Sequence, residues 1–338
     1  MRSKALLVSV AAAVLLAGCS GGGAVTASGA DDGSPTPSPT PSPTASPTPP
    51  ASGNPLTGLA PVPGPVVAVK IDNGGLARPY HRGLRQAAIV YQELVEGGST
   101  RFMAIFESPS ATSEVGPIRS ARESDIDILR AFGSPALAFS GANTGVLAII
   151  RTAARKGYLE DASYNAVPSL YRLGERRRDA RNFFAAPSRL GARVKGSEPR
   201  DIGWRFGPLA LGVKTLRLSV PFSNSNSMQA VYLPSSGTWK LSQGGRVVPV
   251  APVNVIVQKV RIKASRFYDV HHNNTPYTIS TGSGRVVLLR DGQRFVGTWK
   301  RTAYGATRLV DAAGRDLLLK PGPTWVMLQP TTQGVSYG

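Results

Sequence analysis

The chain has 338 residues, a formal net charge of +19 and a single cysteine. One cysteine excludes an internal disulfide and a cysteine-based zinc site, so the folded part must be stabilised by its own core. The excess of basic residues predicts an anionic partner, either nucleic acid inside a cell or lipid headgroups and wall polymers outside it. A basic composition without any specific ligand explains the same charge.

The first 18 residues have the pattern of a secretion signal. Arg2 and Lys4 precede an apolar run over residues 5–17, which is too short for a membrane span but has the length of a signal core. The run ends in Leu-Ala-Gly-Cys at residues 16–19, which resembles a lipobox and implies cleavage before Cys19 and acylation of its thiol. We therefore predict an extracytoplasmic protein anchored to the outer face of the cell membrane by diacylglycerol and palmitate chains on Cys19. Export argues against a nucleic-acid partner.

A proline-rich segment follows the signal. Residues 19–53 show no apolar periodicity, and residues 34–50 alternate proline with serine and threonine. Proline at this density favours an extended polyproline II conformation and prevents a packed core. At roughly 3 Å per residue, residues 34–50 reach about 50 Å. We predict that 19–53 is a disordered linker that holds the folded part away from the membrane.

Residues 54–208 mix strand and helix signals. Apolar and β-branched runs predict strands at 66–71, 88–95, 101–106 and 135–139. Ser120 and Glu123 have the spacing of a capping box, which predicts a helix from Ser120 to about Phe132, ended by Gly133. A second helix is predicted to begin after Thr144 and to end at Gly157.

Residues 209–332 carry strand signals and no helix signal. The predicted strands are 216–222, 228–233, 253–262, 286–289, 295–299, 317–319 and 325–328. Asp291-Gly292 is a strong hairpin signal between two of them. The sequence therefore predicts an α+β protein, in which a mixed α/β part (54–208) precedes a mostly antiparallel β part (209–332).

Arginines cluster around the predicted start of the first helix. A helix start offers free backbone N–H groups and a partial positive charge, which suit a phosphate or a carboxylate. Arg119 and Arg122 oppose that charge, a locally unfavourable choice that often marks a site. We predict an anion site formed by these two residues with Ser120 and Arg101. The alternative is structural ion pairing with the acidic residues that follow, which are Glu123, Asp125 and Asp127.

Polar residues at strand ends and in loops form a second set of candidates. They are Asp72, Asn73, Arg78, Glu93 and Glu96. Carboxylates of this kind serve as an acid/base pair or hold a divalent cation beside a phosphate. Solvated turns and loop-stabilising pairs are the alternative.

Other chemistry has little support in the sequence. There is no Gly-x-Ser-x-Gly motif. The neighbours His271 and His272 would face opposite ways in a strand, so they are poorly placed to share a metal ion. We predict no metal site and no cofactor, and Mg²⁺ is the one ion compatible with the acidic candidates. The tryptophans suit either sugar stacking or core packing, and their strand positions favour the core; they are Trp204, Trp239, Trp299 and Trp325.

Several segments resemble, in the same order, those of the YerB-like family of bacterial lipoproteins, whose two halves are the DUF3048 domains. In the first half these are NPLTG (54–58), VKIDN (69–73) with ARP (77–79), AIVY (88–91) with EGG (96–98), TRFMAIF (100–106) and VGPIRSAR (115–122). In the second half they are NVIVQ (254–258), GSG (282–284), GTWK (297–300) and PGPTW (321–325). The resemblance implies a two-part α/β plus β envelope protein with no assigned reaction. Relatives usually carry His-Asn after the proline that is Pro187 here, whereas this chain has Ser188-Arg189, so a role for that histidine does not transfer.

Three functions remain open from the sequence. The favoured one is a non-enzymatic envelope lipoprotein that binds an anionic wall polymer or a lipid-linked phosphate. The second is an enzyme of wall precursors, a phosphotransferase or a glycan hydrolase, that uses Asp72, Glu93 or Glu96. The third is a scaffold for other envelope proteins, which would need an exposed apolar patch.

Overall fold

The computed structural model describes residues 53–176 and 181–338. The signal, Cys19, almost all of the linker and the side chains of the charged run at 175–181 lie outside the described residues. A compact unit runs from Thr48 to Gly338. In the described part, no helix is both long and apolar enough to span a membrane.

The described residues are mostly β, and their α-helices all precede residue 195. The helices are α1 Glu123–Leu129, α2 Thr144–Arg155 and α3 Pro187–Val194. The strands are β1 Val66–Asp72, β2 Ile89–Leu94, β3 Thr100–Glu107, β4 Val115–Ile118, β5 Ala136–Ala138, β6 Glu160–Asp161, β7 Arg172–Arg176, β8 Arg181–Ala185, β9 Val213–Lys214, β10 Arg217–Ser223, β11 Asn226–Leu233, β12 Thr238–Gln243, β13 Arg246–Val247, β14 Asn254–Tyr268, β15 Asn274–Ile279, β16 Gly282–Arg290, β17 Gln293–Arg301, β18 Thr307–Val310, β19 Thr324–Pro330 and β20 Ser336–Tyr337.

One large mixed sheet runs through both parts of the chain. Its strand order is β18-β17-β16-β14-β19-β2-β3-β1-β4-β8-β7, with shorter strands attached at its sides. β2, β3 and β1 are antiparallel neighbours, whereas β19 is parallel both to β14 and to β2. Strands from either side of residue 208 therefore hydrogen-bond directly to one another.

The large sheet is covered on both faces. A second sheet, in the order β13-β12-β11-β10-β20, shares a core with one face. The helices α1 and α2 share a core with the other face, and α2 contributes Val146, Ile150 and Ala153 at helical spacing. The result is three layers, and the strands between the two cores are buried on both faces, as the burial of every residue of β1 illustrates.

A two-stranded extension, the β14–β15 ribbon (residues 261–279), leaves the large sheet and lies over the helices. It begins where β14 leaves β19 and pairs with β15 from Arg261↔Ile279 onward. Tyr277 hydrogen-bonds to Asp127 of α1, and the Nδ2 of Asn143, at the start of α2, donates to the carbonyl of Tyr268 at 3.1 Å. These contacts fix the ribbon against both helices.

Most predicted elements are present, and two predictions are wrong. The first helix begins at Glu123 rather than Ser120, because residues 119–121 hydrogen-bond to neighbouring segments instead. Residues 317–319 form no strand, since Leu319 makes only a single bridge to Phe206. The turn at Asp291-Gly292 is confirmed, with positive φ at both residues. All four tryptophans are buried, as core packing requires.

Candidate anion-binding site

Cross-strand pairing gathers the polar candidates at one end of the large sheet. Asp72 in β1 and Glu93 in β2 both lie directly opposite Arg101 in β3. Directly opposed residues project to the same face of a sheet. The short turn Glu96–Gly98 joins β2 to β3 at this same end. Asp72, Glu93 and Arg101 are therefore neighbours on the face that α1 covers.

Backbone hydrogen bonds bring the segment 119–122 to this end. The amide of Arg119 donates to the carbonyl of Lys70 at 2.9 Å, and the amide of Ala121 donates to the carbonyl of Gly141 at 2.9 Å. The carbonyl of Arg119 accepts from the amide of Ser140 at 3.1 Å. The segment is thus fixed between β1 and the loop after β5, which places Arg119 and Arg122 beside Arg101.

The three arginines have different partners. Arg122 forms a buried ion pair with Glu96 and donates from Nη1 to the carbonyl of Ala121 at 2.9 Å. The Nε of Arg119 lies 3.5 Å from Oδ2 of Asp72, while about a third of its side chain stays exposed. Arg101 donates from Nη1 to the carbonyl of Ser120 at 3.3 Å. The carboxylates that meet these arginines are therefore Asp72 and Glu96, rather than the acidic residues of α1.

The cluster carries more positive than negative charge. Three guanidiniums face two carboxylates. The pKa of Arg101 is lowered to about 10, chiefly by burial and also by the charges of Arg122 and Arg119, against the opposing effects of Asp72 and Glu96. Among the described residues, the buried Nε atoms of Arg101 and Arg122 have no hydrogen-bond partner. Poorly compensated buried charge is costly, and a bound anion would reduce that cost.

Glu96 is held in its ionised form by this cluster. Burial alone would raise the pKa of Glu96, but the hydrogen bond and charge of Arg122 outweigh it and lower the pKa. The hydroxyl of Thr275, from the β14–β15 ribbon, also donates to Glu96 at 2.6 Å. The ribbon therefore forms part of the wall of the site.

The start of α1 is partly occupied by the chain itself. Its N-terminal end is occupied by a carboxylate of the chain, because Oδ2 of Asp125 accepts from the backbone amide of Arg122 at 2.7 Å. The helix is only seven residues long. The anion site therefore rests mainly on the guanidiniums.

Glu93 belongs to a buried charged group instead of to the open cluster. It pairs with Lys70 and accepts from the hydroxyl of Ser124 at 2.9 Å, and Nζ of Lys70 also lies 2.7 Å from Oδ1 of Asp125. Lys70, Glu93 and Asp125 have at most 1 % of their side chains exposed. This group was missed in the sequence, although a lysine within the apolar run VVAVKI is a visible signal of it.

Two other candidates lie on the opposite face of the large sheet. Asn73 follows Asp72 directly and so points the other way, donating from Nδ2 to Thr100 and to Gln243, each at 2.7 Å. Arg78 donates to the backbone carbonyl of Gln243 at 3.3 Å, and burial lowers the pKa of Arg78. Both residues connect the large sheet to the smaller one and stay away from Arg101.

In the described part of the chain, no group of three or more histidine, cysteine and acidic residues is placed to hold a metal ion. His81 lies beside the backbone carbonyl of Asp72, with its Nε2 at 2.8 Å. His271 and His272 lie in the turn of the ribbon, where both are exposed.

Comparison with known proteins places the chain among lipoprotein-like sequences without an assigned activity. Residues 56–200 match the family described as "Protein of unknown function (DUF3048) N-terminal domain", and residues 218–326 match its C-terminal domain. The chain is 25% identical over 287 residues to "Putative lipoprotein YerB" of Bacillus subtilis (strain 168), covering 80% of this chain and 82% of that protein. The crystal structure of YerB from Bacillus subtilis shares its fold, with a TM-score of 0.69 at 23% identity, covering 85% of this chain and 99% of that one.

Proposed function

We propose that this chain, which belongs to the DUF3048 family, is an extracytoplasmic lipoprotein that binds a phosphate-bearing ligand of the cell envelope through Arg101, Arg119 and Arg122. The lipobox-like sequence at Cys19 and the name of the Bacillus subtilis relative both support membrane anchoring. In this proposal, the linker joins the anchor to the binding unit.

The observation that carries the proposal is the excess positive charge at the end of the large sheet. Arg101 is half-buried, and its carboxylate neighbours Asp72 and Glu96 are shared with Arg119 and Arg122. Arg119 keeps about a third of its side chain exposed, so a ligand can reach its guanidinium. A phosphate accepts several hydrogen bonds from such guanidiniums at once.

The carboxylates near the site favour binding rather than catalysis. Glu93, one of the three acid/base candidates from the sequence, is buried against Lys70 and Asp125. Glu96 is occupied by Arg122 and Thr275. A general acid or base needs direct access to its substrate, and these two carboxylates are engaged by the protein itself.

Two envelope components offer the required phosphate chemistry, a wall polymer and a lipid-linked phosphate. A thermal-shift titration of residues 48–338 distinguishes them, with inorganic phosphate, poly(glycerol phosphate) and a short-chain prenyl phosphate as probes at constant ionic strength. A ligand that binds only the folded state raises the melting temperature by mass action, and at 100 times its Kd it stabilises by about 2.7 kcal/mol.

The decisive comparison uses two arginine variants. Arg119→Gln removes an accessible guanidinium of the site. Arg308→Gln is the matched control, because Arg308 is also a partly exposed arginine paired with an aspartate, Asp316, at 2.7 Å. We expect the melting temperature to rise for the wild type and for Arg308→Gln but not for Arg119→Gln. Equal shifts in all three proteins, or no shift with any probe, would refute the proposal.

A further inference from the structure

The turn of the β14–β15 ribbon presents apolar side chains to solvent. Val270 is 90% exposed and Tyr268 is 51% exposed. The turn that carries them is well ordered by hydrogen bonds, because Oδ1 of Asp269 accepts from the amides of His271 and Asn273, each at 2.8 Å. The exposure of these side chains is therefore built into the turn rather than a result of fraying.

Basic side chains lie along the strand that leads to this turn and along the neighbouring helix. Arg261, Lys263 and Arg266 are exposed along β14. The neighbouring helix α2 adds a second exposed basic row, which consists of Arg151, Arg155 and Lys156. The two rows are adjacent, because Arg266 and Phe267 of the ribbon line a shallow groove together with Ile149 and Thr152 of α2.

The nearby acidic residues do not neutralise this surface. Asp269 is occupied by the turn, and the hydroxyl of Ser265 donates to Glu123 at 2.8 Å on the side of the ribbon that faces α1. Asp127 accepts from Tyr277 at the same inner side. Lys263 lies opposite Tyr277, with its Nζ 4.5 Å from the centre of the Tyr277 ring, so it projects on the side that faces α1. The positively charged surface is therefore formed by Arg266 and the exposed side of α2, and Tyr268 and Val270 lie at its end.

We propose that this end of the molecule, the ribbon tip (residues 266–272) with the exposed side of α2, contacts an anionic lipid bilayer. Tyr268 and Val270 would enter the interfacial layer, where a tyrosine places its ring among acyl chains and its hydroxyl in water. The neighbouring lysines and arginines would meet the lipid phosphates, which attract basic residues near the surface. Scattered apolar residues on a surface are common, and it is the combination with an ordered turn and adjacent basic side chains that points to a bilayer.

The position of the tip fits a chain anchored at its N-terminus. The folded part begins beside the other end of β14, because the amide of Gly322 donates to the carbonyl of Thr57 at 2.7 Å and the side chain of Asn254 donates to the carbonyl of Lys320 at 2.8 Å. β14 has 15 residues and extends about 50 Å from there. The segment from Ser20 to Gly53, at roughly 3 Å per residue, is long enough to reach about 100 Å. It therefore allows the tip to reach the membrane that holds Cys19.

The test is co-sedimentation of the compact unit, residues 48–338, with vesicles of phosphatidylcholine alone or mixed with phosphatidylglycerol. This protein lacks Cys19, so lipid attachment does not contribute. We expect binding only to the vesicles that contain phosphatidylglycerol. Tyr268→Ser/Val270→Ser should weaken that binding about tenfold or more through lost apolar burial. Arg151→Gln/Arg266→Gln should weaken it roughly thirtyfold, because each basic residue near the surface contributes roughly fivefold.

Matched controls lie away from the tip. Leu211→Ser removes another apolar side chain that is 94% exposed, and Lys240→Gln/Arg246→Gln removes two exposed charges from the smaller sheet. Both controls should bind vesicles as the wild type does. Loss of binding in the charge variant alone would show that Tyr268 and Val270 do not enter the bilayer, and it would overturn the proposal. Equal binding by the tip variants and the controls, or no binding by the wild type, would overturn it as well.

Discussion

At the residue scale, Lys70, Glu93 and Asp125 form a group of charged side chains that are buried in contact with one another. Two carboxylates face one ammonium, and all three are buried. Burial and the nearby Glu93 raise the pKa of Asp125 to about 7, whereas Lys70 opposes this rise. For Glu93, the charge and hydrogen bond of Lys70 outweigh the effect of burial and lower the pKa. Below about pH 7 the group therefore holds one carboxyl proton, which keeps its total charge close to zero.

This proton makes stability depend on pH in a defined direction. The folded chain keeps the proton of Asp125 up to about pH 7, whereas an unfolded aspartate releases it near pH 4. The stability from this proton is fully present below pH 4 and is lost as the pH rises through 7. The lowered pKa of Glu93 has the opposite consequence for stability. The stability that it contributes is lost as the pH falls below about 4, which is below the range in which Asp125 ionises.

We expect the wild type to lose roughly 2 kcal/mol of unfolding free energy between about pH 5 and pH 8, relative to Asp125→Asn, which cannot ionise. Urea unfolding of both proteins at the two pH values measures this difference. Asp201→Asn is the control, since the pKa of the exposed Asp201 is lowered and its carboxylate stays ionised over this range. If the difference in unfolding free energy between the wild type and Asp125→Asn does not change with pH, Asp125 does not keep its proton in the folded state.

The residues of the arginine cluster could be predicted from sequence to a limited extent. Arg101, Arg119 and Arg122 were proposed together, and the structure does bring them together. Their acidic partners could not be predicted, because Asp72 and Glu96 reach them only through strand pairing and the turn between β2 and β3. Strand register is a long-range property that spacing along the chain does not contain.

At the scale of elements, tertiary hydrogen bonds override local signals at the start of α1. The Ser120–Glu123 spacing is a good capping box, yet the amide of Ala121 bonds to Gly141 and the segment stays extended. Strands β4 and β15 went unpredicted for a related reason, since each contains a proline, Pro117 and Pro276. Proline weakens a strand signal in sequence, but it is tolerated at an irregularity such as the register shift around Pro117 and on an edge strand such as β15.

Asn143 contacts both α2 and the β14–β15 ribbon, and two substitutions of it distinguish the cap of α2 from the contact with the ribbon. Its Oδ1 accepts from the amide of Gly145 at 2.9 Å and caps α2, while its Nδ2 donates to Tyr268 of the ribbon. Asn143→Ala should remove both contacts, cost about 1 kcal/mol and speed amide exchange in the first turn of α2 and in the ribbon tip. Asn143→Asp keeps the cap and should speed exchange only in the tip. Hydrogen exchange by mass spectrometry distinguishes the two, and identical exchange patterns in both variants would disprove this division.

At the scale of the whole molecule, the strand β19 connects the two parts that the sequence suggests. The sequence predicts a boundary near residue 208, and the two family matches end and begin on either side of it. Nevertheless, β19 comes from the second part and lies between β14 and β2, and the Trp325 ring meets the Phe102 ring edge-on at 4.8 Å. The buried amides of Asn73, Gln92 and Gln243 link the second sheet to the first in the same region. Composition along the chain predicts the boundary but contains no information about this pairing.

This arrangement predicts that the two parts unfold together. Without residues 209–338, β2 loses its neighbour β19, and the core loses the ring of Trp325 and the whole second sheet. We therefore expect residues 48–338 to melt in a single calorimetric transition, and residues 48–208 alone to show none. Mixing residues 48–208 with residues 209–338 should restore a transition, because the missing strand is supplied by the partner fragment. A cooperative transition of residues 48–208 alone, close to that of the intact unit, would instead show that the first part is an independent domain whose pairing with β19 contributes little.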